Sequence, residues 1–198
     1  MSSSILDLLS QQLDDNAINQ LSQQLGADQA STQKAIGAAL PMLLGALGRN
    51  AASADGAQAL NNALERDHDG AILNDVSGAL SSGNMGDMGM KILGHVLGGK
   101  QSTVEQGLSQ VSGLDSGTTG QLLAMLAPIV MGTLGQTKQQ NGLDASGLAE
   151  MLGGAKQEAD SQLGGMAQLL DFDGDGSAID DVMNIGSKLL GGLFGGRK

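Results

Sequence analysis

Seven residues toward the C-terminal end, Asp171-Phe172-Asp173-Gly174-Asp175-Gly176-Ser177, have the types and spacing of a cation-binding loop. Oxygen ligands at loop positions 1, 3 and 5, with glycine at 6 for the sharp turn, are how an EF-hand-type loop wraps Ca²⁺. Position 7 contributes a backbone carbonyl, here that of Ser177. The bidentate glutamate of position 12 is missing: Val182 stands there, and Asp180 and Asp181 come one or two residues early. Asp181 completes the set only if the loop is shorter than usual. A weaker version is Glu65-Arg66-Asp67-His68-Asp69-Gly70, where Asp67 and Asp69 keep two of the early ligands and Asp75 matches Asp181. Ca²⁺ is the one cofactor these patterns suggest. The alternative for both is mechanical: acidic turns whose aspartates cap the next helix and favour the positive end of its dipole.

Other reactive side chains are sparse. His68 sits between two aspartates, as a transition-metal ligand would, but it has no second histidine nearby and reads as a solvated turn residue. His95 adjoins the Ile92, Leu93, Val96 face of an amphipathic stretch, which suits helix packing or a hydrogen bond better than general-base chemistry. Gly98-Gly99-Lys100-Gln101-Ser102 has the flavour of a phosphate loop, yet it follows a helical pattern and lacks the first glycine at the required spacing. Serines and threonines carry no nucleophile-elbow signature. No cysteine is present, which removes disulfides, thiolate catalysis and thiolate-ligated metals. A non-enzymatic protein is expected.

The balance of charge narrows the partners. Ten basic residues against 21 acidic ones leave a net charge of −11, the wrong sign for a nucleic-acid backbone. The start, MSSSILDLLSQQLDDN, has neither a basic n-region nor a long apolar h-region. No apolar run reaches the roughly 18 to 20 residues of a membrane span. The expectation is a soluble cytoplasmic protein. The tail has the shape of an interfacial membrane helix, with Ile185, Leu189, Leu190, Leu193 and Phe194 on one stripe beside Lys188, Arg197 and Lys198. So few cations make weak anchoring, and buried packing is the preferred reading.

The elements that must position these residues are helical. Ala35 to Gly48, AIGAALPMLLGALG, and Leu122 to Gly135, LLAMLAPIVMGTLG, each carry one of the only two prolines, and Pro128 follows Pro41 by 87 residues. The same offset pairs Gly26-Ala27-Asp28 with Gly113-Leu114-Asp115 and Ile5-Leu6 with Ile92-Leu93, the mark of a divergent tandem duplication. Asp28 and Asp115 are placed to cap the two long helices, and Gly48 and Gly135 to close them. A proline some three turns in removes a donor and clashes with the preceding turn, predicting a kink or a break. Loops are expected at 49–56 and 136–141 and a linker at 81–89. Sustained two-residue alternation is absent, so the fold is all-α and multihelical, with two tandem repeats sharing a core. The units are 1–88, 89–185, and a tail over 186–198 whose Gly186 to Gly196 pattern matches Gly89 to Gly99 and starts a third unit. With 32 glycines and only two aromatic residues, both Phe, the helices are expected to pack closely around Leu, Ile, Met, Val and Ala.

Asp67-His68-Asp69-Gly70-Ala71-Ile72-Leu73-Asn74-Asp75, Lys91 to Gln101 (KILGHVLGGKQ), Leu122 to Gly132 and the Asp171 to Asp181 segment together resemble the bacterial family catalogued as domain of unknown function nine-three-seven, related to the YidB-like proteins. The resemblance spans essentially the whole chain. It implies a multihelical fold and a bacterial source, and it brings no activity. The expected function is that of a self-associating structural or scaffold protein. Its homo-oligomer would form head to tail through the unpaired tail. The alternative is a calcium-responsive binding module built on residues 171–176.

Overall fold

The computed structural model describes residues 4–170, with side chains through residue 158. Its α-helices are α1 (Ile5–Gln12), α2 (Asp15–Leu25), α3 (Gln29–Ala51), α4 (Ala54–Arg66), α5 (Val76–Ser81), α6 (Met85–Val96), α7 (Gln101–Ser112), α8 (Ser116–Asn141) and α9 (Ala145–Leu170). Short 3₁₀ turns at Ala71–Asp75 and Gly98–Lys100 link some of them. Among the described residues there is no strand, and the protein is all-α.

Local chemistry explains the starts. Asp14, Asp28, Ser53 and Asp115 each stand in extended backbone, and their side-chain oxygens accept the N–H of Ala17, Ser31, Gly56 and Thr118. Each satisfies a donor that the first helical turn leaves without a partner. The Ser31 N–H and then its side chain hold the Asp28 carboxyl below the usual carboxylate range, and the Thr118 hydroxyl and then its N–H do the same for Asp115. α2 and α7 end at Gly26 and Gly113, whose φ of 62° and 78° few other residues adopt at low cost.

The ends differ from the sequence-based expectation. α3 runs unbroken through Pro41 to Ala51, and α8 through Pro128 to Asn141, where Gly142 closes it in the left-handed conformation. The loop at 49–56 shrinks to residues 52–53, the loop at 136–141 vanishes into α8, and α6 begins inside the stretch expected as linker. Gly48, Gly89 and Gly135 lie inside helices, at positions where other backbone crowds the space a side chain would need. A Cβ on Gly48 would lie 3.1 Å from the Leu152 carbonyl of α9. One on Gly89 would fall on the Ala124 carbonyl of α8, and one on Gly135 on the His68 carbonyl. The prolines do not break helices because every residue from Ala38 to Gly48 and from Leu122 to Gly135 is buried. Burial on that scale outweighs the roughly 3 kcal/mol an internal proline costs.

A single hydrophobic cluster runs from Ile5 to Ala155 and draws on both halves of the chain. α3 packs most extensively along α9, and α8 along α6. α4 turns back from α3 at 120°. α8 is long and apolar enough to cross a membrane, contrary to the count of apolar runs in the sequence, but 83% of its apolar window is buried inside the protein.

Candidate functional site

The acidic turn after α4 is held against the end of α8. Asp69 accepts the Ala71 N–H at 3.0 Å, and Asp75 accepts the Gly78 N–H at 2.7 Å as the cap of α5. Asp67 is exposed, with Arg66 at 3.8 Å. Gly70, at φ 96°, brings the backbone so near α8 that a Cβ would be 2.9 Å from that of Gln136. Gln139 Nε2 donates to the Asp69 carbonyl at 3.1 Å. Lys138 Nζ, 2.8 Å from Glu65 Oε1, fastens α4 to the same end of α8. Hydrogen bonds from Lys138 and then Asn61, with the Lys138 charge, hold the Glu65 carboxyl below its ordinary range.

The structure therefore sets Asp67, Asp69 and Asp75 to separate tasks. Among the described residues, no group of three or more histidines or carboxylates is gathered as a metal site would require. The stronger motif, Asp171, Asp173, Asp175, Ser177 and Asp181, lies outside the described residues, as does the tail over 186–198.

Tertiary structure assembles something the spacing did not suggest. A cleft of about 950 Å³ opens between the C-terminal part of α3, α4 and α6. Leu47, Leu60, Ile92 and Met131 form its apolar floor, all buried. Arg49 and Lys91 line it together with both of the chain's histidines, His68 and His95, and, among the described residues, with one carboxylate, that of Asp67. Asn50 Nδ2 donates to the Val96 carbonyl at 3.0 Å and the His95 carbonyl at 3.4 Å, tying the α3 wall to the end of α6. A smaller cavity of about 340 Å³ shares Arg49, Asn50 and Val96 and reaches Lys100.

His68 is half-buried rather than solvated, and burial pushes its imidazole below its ordinary value, partly opposed by the negative charge of Asp67. His95 is exposed on the cleft wall instead of packed within the helix bundle. No sequence signal joins these residues, because the walls come from helices far apart along the chain.

A family model described as a bacterial protein of unknown function, DUF937, matches residues 7–139 and again residues 136–198. No curated protein and no solved structure matches the chain.

Proposed function

The chain belongs to the DUF937 family of bacterial proteins of unknown function, and from that premise we propose a non-enzymatic, cytoplasmic helical protein that associates with its own copies in a structural or scaffold role. The reading includes a chain built from two divergent repeats, each around a long proline-bearing helix bent at Pro41 or Pro128. Several matched features support it. α2 and α7, α3 and α8, and the caps Asp28 and Asp115 recur at the same offset. Gly48 and Gly135 recur with them, one against the Leu152 carbonyl and the other against the His68 carbonyl, so each long helix meets backbone from the opposite half.

One observation carries the self-association. An internal proline leaves the carbonyl four residues earlier without its helical donor. For Pro128 that carbonyl belongs to Ala124, and Gly89 of α6 lies directly against it. For Pro41 it belongs to Gly37, the repeat equivalent of Ala124, which is exposed with open space around its Cβ position. Gly186 stands in the tail where Gly89 stands in α6, followed by the same pattern of lysine, paired apolar residues and glycines. The tail of one molecule takes on α3 of the next the place that α6 takes on α8. Such a heterologous contact generates rings or filaments.

Light scattering after size exclusion tests this with the full chain, a chain ending at residue 185, and Gly37→Leu. The full chain is expected as an oligomer and both variants at lower mass. A monomeric full chain ends the proposal, as does a truncated chain of unchanged oligomeric state.

Calcium binding at Asp171 to Asp181 is the second reading, favoured by the Asp-x-Asp-x-Asp-Gly spacing alone. Calorimetric titration with Ca²⁺ should give a saturable signal that Asp173→Ala/Asp175→Ala abolishes. Two flat titrations leave only helix capping.

A further inference from the structure

We propose that a second cavity, between α5, α6, α7 and the start of α8, binds a soft monovalent metal ion of the Cu⁺ class through the thioether sulfurs of Met85, Met90 and Met125. The inference is independent of self-association. A helix crossing gathers the three residues. Gly89 of α6 lies directly against the Ala124 carbonyl of α8, so the two backbones meet there. Met90 follows that glycine, Met125 follows that alanine, and Met85 stands one turn before Gly89. All three line one cavity of about 500 Å³. Met85 and Met125 are buried, whereas Met90 is 48% exposed and leaves the cavity an entry from solvent. Methionine is unbranched and turns about three bonds, which lets sulfurs on one cavity wall close on a common ion.

The Met90 sulfur is already held in place. Gln101 Nε2 lies 3.8 Å from Met90 Sδ and donates to Glu105 Oε1 at 2.8 Å. Glu105 Oε1 in turn lies 2.9 Å from the Cβ position of Gly120, on the α8 wall of the cavity. With one lone pair turned to Gln101, the sulfur keeps another for a cation. Local charge favours a cation as well. Among the described residues that line the cavity, Asp87 and Glu105 are carboxylates and none is basic. The positive end of α8, at Ser116 and Gly117, is met by the Asp115 carboxylate, which accepts the Thr118 N–H. The donor set then chooses the metal: thioethers select Cu⁺, while carboxylates and carbonyls suit hard divalent ions. With no cysteine in the chain, methionine is its softest donor.

Ag⁺ is a suitable probe, having the charge and softness of Cu⁺ without its redox chemistry. Titrated into the full-length protein carrying carbon-13 methionine methyl groups, it is expected to shift the Met85, Met90 and Met125 signals saturably. Zn²⁺ should leave those three signals in place. Met90→Leu is a volume-conserving change at a half-exposed site and should fold normally. It should weaken Ag⁺ by about tenfold or more, since losing even a residue that only orients a ligand costs about 10- to 100-fold. Met88→Leu removes an equally accessible thioether from the same helix, outside this cavity, and should leave the affinity unchanged. Absence of saturable shifts at the three methyl groups overturns the proposal. So does an equal response to Zn²⁺, an unaffected Met90→Leu variant, or an equal loss in Met88→Leu.

Discussion

His68 is the side chain whose role changes most between sequence and structure. In sequence it is a turn histidine between two aspartates. In the fold its carbonyl lies against Gly135 and its half-buried imidazole lines the cleft. Because burial lowers its folded pKa below the ordinary value of 6.5, the unfolded chain takes up the proton more readily. Its contribution to stability is therefore present above about pH 6.5 and lost as pH falls through the lowered folded value. Urea unfolding at pH 7.5 and pH 5.5 should show the protein weakening on acidification, with His68→Gln showing a smaller loss. An equal loss in the variant would assign the pH dependence to other groups. The aspartates around it were half legible. Their capping role could be read from residue type and position, whereas their dispersal as ligands depends on how the turn lies on α8.

Among the helices, the glycines divide into two kinds that look alike in sequence. Gly89 and Gly135 stand where the backbone of a neighbouring segment occupies the Cβ position, while Gly94 of α6 has open space. Gly135→Ala and Gly89→Ala should each destabilise the protein by about 1 to 3 kcal/mol, because backbone must shift to admit the methyl group. Gly94→Ala should stabilise it by about 0.5 to 1 kcal/mol through helix propensity and reduced freedom of the unfolded chain. Chemical denaturation of the three variants checks the contrast, and a uniform sign would refute it. This is also why the helix ends were misplaced by sequence. Glycine marks a terminus when it supplies a left-handed conformation, as at Gly26 and Gly142, and marks a close crossing when another backbone needs the room.

For the whole molecule, the central fact is that the core does not divide at the middle of the chain. α3 is covered mainly by α9 and α8 mainly by α6, and the boundary expected at residues 88 and 89 falls inside α6. The full chain should unfold in one cooperative transition by circular dichroism. A chain of residues 1–88 alone should lack stable helical structure, having lost the partner that buries α3. Two separate transitions, or a folded fragment, would contradict this.

The sequence by itself determined the helical class, the two long proline-bearing helices, the caps at Asp28 and Asp115, and membership of the family. These follow from local rules, since periodicity, capping and composition act within a few residues. Only the tertiary structure decided that the prolines lie within unbroken helices, which glycines are contacts, and that Arg49, His68, Lys91 and His95 share one cleft. Those outcomes depend on which helices cross, and helix crossings are set by the burial of whole faces against partners distant in the chain.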